Sequence, residues 1–161
     1  MDPNKLQFDS VRIRTHRPGD MGMVIYRHAL LYATDYGCDE RFEALVARVT
    51  ADFIDHYDET KDRCWIAEVM DTGEFLGSIM LVEDRTSTLT KTAKLRLLLV
   101  EDRARGIGLG KKLVKQSIEF AKKSGYERIE LWTQSFQLVR VGDGHESWKG
   151  PGTAEIWELK L

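Results

Sequence analysis

The stretch Arg105-Gly106-Ile107-Gly108-Leu109-Gly110 constrains this chain more than any other. An apolar run, Leu95 to Val100, leads into it, and an amphipathic helix running to about Ser124 leaves it. Glycines let a backbone take φ > 0 and come close to a ligand. The first turn of a helix leaves its N–H groups without partners, and the helix dipole puts partial positive charge there. A strand that feeds such a turn and helix is an anion site, suited to a phosphate. The nucleotide alternatives fail on detail. No Gly-Lys-Ser/Thr ending of a Walker motif is present, and the spacing is Gly-x-Gly-x-Gly rather than Gly-x-Gly-x-x-Gly.

The flanking periodicities predict a mixed α/β sheet. Val11 to Thr15 alternates as a short strand. Asp20 is read as the cap of a helix from about Met21 to Tyr36, which Gly37 stops. Asp39 caps a second helix with Phe42, Leu45, Val46, Val49, Phe53 and Ile54 inward. Cys64–Val69 and Phe75–Val82 read as strands of a hairpin with Gly73 in its loop, and Lys94–Val100 as a central strand. After the Gly-rich turn, Leu109, Leu113, Val114, Ile118 and Ala121 face inward, and Gly125 ends the helix. Arg128–Thr133 is then parallel to the strand before the helix, by the crossover rule.

At 161 residues the chain suits one domain spanning 1–161 with a real core. A net charge of -2 and no basic stripe give no basis for a nucleic-acid partner. The first residues carry no apolar signal region, and no run reaches membrane-spanning length, so a cytoplasmic or nucleocytoplasmic protein without a membrane partner is expected. Cys38 and Cys64 are too few for a disulfide framework and are expected to be reduced and buried.

The segment Leu98 to Val114 resembles the coenzyme-A motif of the GNAT superfamily of N-acetyltransferases, Gln/Arg-x-x-Gly-x-Gly/Ala, here on Arg105, Gly108 and Gly110. The element order matches that family from Val11 to Thr133. The stretches His16–Asp20, Asp39–Leu45 and Lys94–Val100 also resemble the acetyltransferase domain of regulators that fuse it to a MarR-type DNA-binding domain. The resemblance implies acetyl-CoA as co-substrate and an amine acceptor, small or peptidic, that attacks directly. Arg105 and the backbone of Gly106, Ile107, Gly108, Leu109, Gly110 and Lys111 would hold the pyrophosphate. Leu98, Leu99 and Val100 would run beside the pantetheine, where parallel strands splay apart. A main-chain N–H there would stabilise the oxyanion.

Many family members place a Glu on the strand before the turn, but this strand starts Lys91-Thr92-Ala93-Lys94. Glu68 and Glu83, on neighbouring strands, are the candidate bases, with a water chain as the alternative. Tyr32, Asp35, Tyr36 and Glu40 cluster where the first two helices meet, a junction that walls the acceptor site in this fold. Asp143-Gly144-His145-Glu146 lacks a second His or Cys nearby, so no metal is expected. His16, His28 and His56 are read as surface residues.

After Thr133 the family has a short helix, usually with a Tyr that protonates the leaving thiolate. Here Gln134-Ser135 runs straight into Phe136–Val141, and the helix between Ser135 and Phe136 is missing. Tyr126 is a poor substitute. Ala154–Lys160 is expected either to pair back antiparallel within the chain or to pair with a second copy, giving a homodimer through the C-terminal strands. The missing segment also raises a second reading, a catalytically impaired coenzyme-A-binding or interaction module of the same fold.

Overall fold

A computed structural model describes residues 6–88, 91–134 and 154–161. Among them the elements run β1 (Val11–Thr15), α1 (Asp20–Tyr36), α2 (Glu40–Asp55), β2 (Arg63–Val69), β3 (Phe75–Glu83), β4 (Thr92–Val100), α3 (Leu109–Lys123), β5 (Arg128–Gln134) and β6 (Ala154–Lys160). The strands form one six-stranded sheet in chain order, β1-β2-β3-β4-β5-β6. Only β4 and β5 are parallel, joined by α3, and every other pair is antiparallel. This is the mixed α/β sheet with a central βαβ unit that the sequence predicts.

Two apolar layers coat the sheet. On one face Trp65, Leu76, Ile79 and Leu95 pack against Leu109, Leu113 and Ala121 of α3. On the other, Ile66, Phe75, Met80 and Leu99 pack against Val24 of α1 and Phe53 of α2. Gly37 ends α1 at φ 67, and its N–H reaches Ala33 O. Asp39 caps α2 by accepting from Arg41 N. Both cysteines are free and buried.

Three local expectations change. Gly19, at φ 96, is the N-cap of α1, and Asp20 is its first helical residue. The Asp20 carboxylate instead accepts from Arg17 N and pairs with Arg14. Ile54 is exposed, because the buried stripe of α2 runs through Phe42, Val46, Thr50 and Phe53. His28 is buried rather than on the surface, because it follows Val24 by one helical turn and faces the sheet with it. His16 is half-buried against Phe53 and Tyr57, while His56 is exposed.

β6 takes the intramolecular course, antiparallel to β5 from Arg128↔Lys160 to Gln134↔Ala154. The Phe136–Val141 run, the Asp143–Glu146 loop and the junction after Ser135 lie outside the described residues. No helix among the described residues is long and apolar enough to cross a membrane.

Candidate coenzyme site

β4 pairs with β5 only from Thr92↔Arg128 to Leu95↔Leu131. Beyond Leu131, β5 pairs only with β6, so the two parallel strands part and leave the β4 edge from Leu97 to Val100 without a strand partner among the described residues. Side chains on β4 change from buried to half-buried at the same point, Leu99 alone staying buried.

A bulge sits at this parting. Ser78 faces Leu99 and Met80 faces Arg96, so Ile79 alone opposes both Leu97 and Leu98. Leu97 takes φ 51, a conformation that costs a branched residue on the order of 1–3 kcal/mol. Ser78 helps hold it, its hydroxyl donating to Leu97 O at 3.0 Å. Gly77 is required beside it, because a Cβ there would stand 2.5 Å from Leu99 O. Gly77→Ala is therefore expected to cost about 1–3 kcal/mol in urea unfolding by forcing β3 and β4 apart at the bulge.

β4 ends at the Gly-rich turn. Gly106 and Gly108 take φ 80 and 87, which only glycine adopts freely, and Gly108 is the N-cap of α3. Among the described residues, no hydrogen-bond acceptor meets the main-chain N–H groups from Gly106 to Lys111. These donors lie at the positive end of α3. Such an arrangement can hold a pyrophosphate.

Arg105 is tied to its neighbours at the start of the turn. Its guanidinium pairs with Asp102 at 2.8 Å and lies 3.9 Å from Asp35, and its Nε donates to Val100 O. It thus links the last turn of α1 to the Gly-rich turn. A second clamp is stronger. Arg27 binds Glu101 through two hydrogen bonds, at 2.6 and 2.7 Å, and these raise the Arg27 pKa. Between the clamps lies a cavity of about 660 Å³, lined by Arg27, Leu31, Asp35, Glu74, Glu101 and Arg103 among others.

The predicted acceptor cluster is only partly assembled. Tyr32 stacks on Phe42 at 4.5 Å between ring centroids and lies 5.1 Å from Tyr36. This layer also holds Cys38 and packs against Leu97, so the helix junction covers the bulge. Burial, with Tyr36 and Cys38 nearby, pushes the Tyr32 hydroxyl up to about 12 and keeps it protonated. Asp35 is exposed and aligned with Arg105, and Glu40 is exposed at the start of α2.

The two candidate bases stand away from the parting. Glu83 faces Ala93, where β4 and β5 are still paired, roughly 10 Å along the strand from Arg96. Glu68 is at the right end of the sheet but two strands away from β4, and it is locked in an ion cluster. Its carboxylate takes hydrogen bonds from Arg12 and Arg14, with Arg17 Nη2 at 3.8 Å. Burial alone would raise its pKa, but the arginine hydrogen bonds outweigh that and hold it low. A carboxylate held this way is a weak proton acceptor. Neither cysteine is an activated nucleophile, since burial raises both thiols, Cys64 to about 12. Tyr126 is buried and donates to Lys61 O.

Sequence reasoning missed Gly77, the Leu97 bulge and the Arg27–Glu101 clamp. Gly77 alone left a signal, since a glycine inside a strand marks a close backbone approach.

Solved structures of similar shape are acetyltransferases. One from Streptococcus agalactiae matches at 20% identity and a TM-score of 0.65, over 96% of this chain and 100% of that one. The yncA structure from Salmonella typhimurium, with its cofactor acetyl-CoA, matches at 17% and 0.65, over 94% of each chain. The spermidine N-acetyltransferase of Vibrio cholerae, in complex with CoA and spermine, matches at 11% and 0.63, over 94% of this chain and 96% of that one. No curated protein sequence matches. Over residues 25–141, well beyond half its length, the sequence matches the Acetyltransferase (GNAT) family, and the chain belongs to that family.

Proposed function

We propose that this chain is an N-acetyltransferase that moves an acetyl group from acetyl-CoA to an amine by direct attack. The observation that carries the reading is the run of unpartnered N–H groups from Gly106 to Lys111 beside the free edge of β4. Those N–H groups bind the pyrophosphate, and Leu98 to Val100 guide the pantetheine toward the bulge. A β4 main-chain N–H polarises the thioester carbonyl. The amine's N–C bond forms as the C–S bond breaks, and the nitrogen's surplus proton reaches the leaving thiolate through solvent. The absence of an activated cysteine among the described residues fits attack without a covalent enzyme intermediate. Tyr32, Tyr36, Asp35 and Glu40 line the approach of the acceptor.

Thermal unfolding with acetyl-CoA tests this. At a hundred times its dissociation constant the ligand stabilises the fold by about 2.7 kcal/mol. For a chain of this size that raises Tm by roughly 5–10 °C. A folded protein whose Tm is unmoved by millimolar acetyl-CoA would refute the reading.

One observation favours a second reading, a coenzyme-A-binding module with little turnover. Neither Glu68 nor Glu83 stands at the parting of β4 and β5. A full thermal shift with coenzyme A, but no thiol release from acetyl-CoA across a panel of amines, would establish it.

A further inference from the structure

α3 lies over β3 and β4, so the β1 side of the sheet extends past it. Another cavity, of about 540 Å³, opens in the angle between them. Its floor is apolar. Trp65 and Phe120 meet edge to face at 5.6 Å between centroids, and Val11 and Ile13 continue the floor toward the rim of the sheet.

The walls are cationic. Arg63, Lys112, Lys115 and Lys123 line the cavity, and Glu119 is the only acid that does. The whole chain has a net charge of -2, so the sign is locally reversed. Lys115 stands 3.9 Å from Glu119, and Lys112 and Lys123 have no carboxylate partner among the described residues. Arg63 is under-supplied too. Its guanidinium lies over the Phe120 ring at 4.7 Å, and Nη2 donates to Glu59 O at 2.8 Å. Its buried Nε has no acceptor, and no carboxylate pairs with it among the described residues. A cation drawn partly out of water without a counter-charge is costly. In sequence these four residues are scattered. Helical spacing and the position of β2 gather them on one side of α3, where Lys112 to Lys123 spans about 16 Å.

β1 beside them is an edge strand, paired only with β2 among the described residues. His16 N donates to Cys64 O and Met70 N to Ser10 O, so the even-numbered residues of β1 bond β2 and the odd-numbered ones turn outward. The Ile13 N–H and C=O and the Thr15 N–H therefore have no partner among the described residues. Strand alternation sets β1 antiparallel to β4, and α3 reverses β4, so β1 and α3 run the same way along the cavity. The five residues of β1 span about 17 Å, which matches the cation row. A small anion would cover one part of that row, whereas an extended chain covers all of it.

We propose that β1 and α3 form a docking groove for an extended acidic segment of a partner protein, which adds to the sheet beside β1. Its main chain bonds Ile13 and Thr15, as in strand addition generally. On the α3 side its alternate side chains cover the apolar floor and bring carboxylates to Lys112, Lys115 and Lys123. On the other side they meet Arg12 and Arg17, whose side chains are 47% and 61% exposed. The groove lies three strands from the parting of β4 and β5, so the proposal does not rest on the acetyl-transfer reading. A nucleic acid or an anionic membrane would use the same charges but not the main chain of β1.

The test titrates the full chain into the fluorescein-labelled peptide Glu-Thr-Leu-Thr-Glu-Thr-Glu-amide and reads anisotropy. The peptide is expected to bind and to slow hydrogen exchange at the Ile13 amide about tenfold. N-methylating alternate peptide residues should weaken binding about tenfold in one register and little in the other, because only every second N–H of an added strand faces β1. Lys115→Glu combined with Lys123→Glu should raise the peptide Kd about tenfold by placing like charges against it. That variant should keep the wild-type Tm and the wild-type response to coenzyme A, whatever that response is. The proposal is overturned if the peptide fails to bind at about 1 mM, if both methylated peptides bind like the parent, or if the double variant leaves Kd unchanged. It is also overturned if a uridine oligonucleotide or phosphatidylserine vesicles bind the groove more tightly than the peptide does.

Discussion

Gly108→Glu is expected to abolish the thermal shift that coenzyme A gives the wild-type chain, with at least a hundredfold loss of affinity. Gly108 is the N-cap of α3 at φ 87, at the centre of the unpartnered N–H groups. A glutamate there adds backbone strain of roughly 1–2 kcal/mol. It also brings a carboxylate to the positive end of the helix, where an anion is stabilised. The new side chain would thus occupy the seat proposed for the pyrophosphate and repel the ligand. Because the carboxylate offsets part of the strain, the fold should survive and the loss should lie in binding. Gly108→Ala separates the two effects, since it keeps the strain and adds no charge. Isothermal titration of both variants decides the matter. If Gly108→Glu binds coenzyme A as tightly as Gly108→Ala does, the cradle is not where the ligand sits.

Glu68→Gln is expected to destabilise the fold by about 1–3 kcal/mol, because it takes a buried counter-charge from Arg14, while Arg12 and Arg17 stay open to solvent. Glu68 is 1% exposed and joins Arg12, Arg14 and Arg17 of the β1 end to β2. Asp20 completes the cluster, holding Arg14 at 2.6 and 2.9 Å. The amide of a glutamine would point N–H donors at guanidinium donors. At roughly 2–4 °C per kcal/mol, Tm should fall by about 2–12 °C. The pH dependence carries a second signature. Burial raises the pKa values of Glu68 and Asp20, but hydrogen bonds from the arginines outweigh it and set both below their ordinary values. A carboxylate whose folded pKa is depressed gives stability that is present above its unfolded pKa, near 4, and lost as pH falls through the folded value. Wild type should therefore lose stability steeply below about pH 4, and Glu68→Gln should lose less over that range. Equal acid limbs would show that the cluster contributes nothing through Glu68.

What could be read from the sequence divides along local and non-local lines. The Gly-rich turn, the Gly37 stop and the Asp39 cap are decided within a few residues, and each is where the sequence places it. The strands bounded by turns are equally local in origin. Glu68 reads from sequence as a strand-end carboxylate, and only the pairing Arg12↔Glu68 between β1 and β2 reveals its arginine partners. His28 looks isolated in sequence because its burial depends on which side of α1 meets the sheet. Leu97 gives no local sign of φ 51, because the bulge is imposed by the register of β3 and by the Ser78 hydroxyl. The Gly-rich turn is thus legible in the sequence, whereas the pieces around the bulge depend on tertiary partners.

The sheet's order has a consequence for how the chain can assemble. Each strand lies beside its predecessor in sequence, from β1 to β6. No strand must be inserted between two that are already paired. During synthesis β1 to β4 can close as a unit before the Gly-rich turn has left the ribosome, α3 and β5 then add along one side, and β6 joins last at the rim. Connectivity of this kind spares the chain any threading of a strand into a closed sheet, and the longest search is that of Val11 for Val69 across both helices.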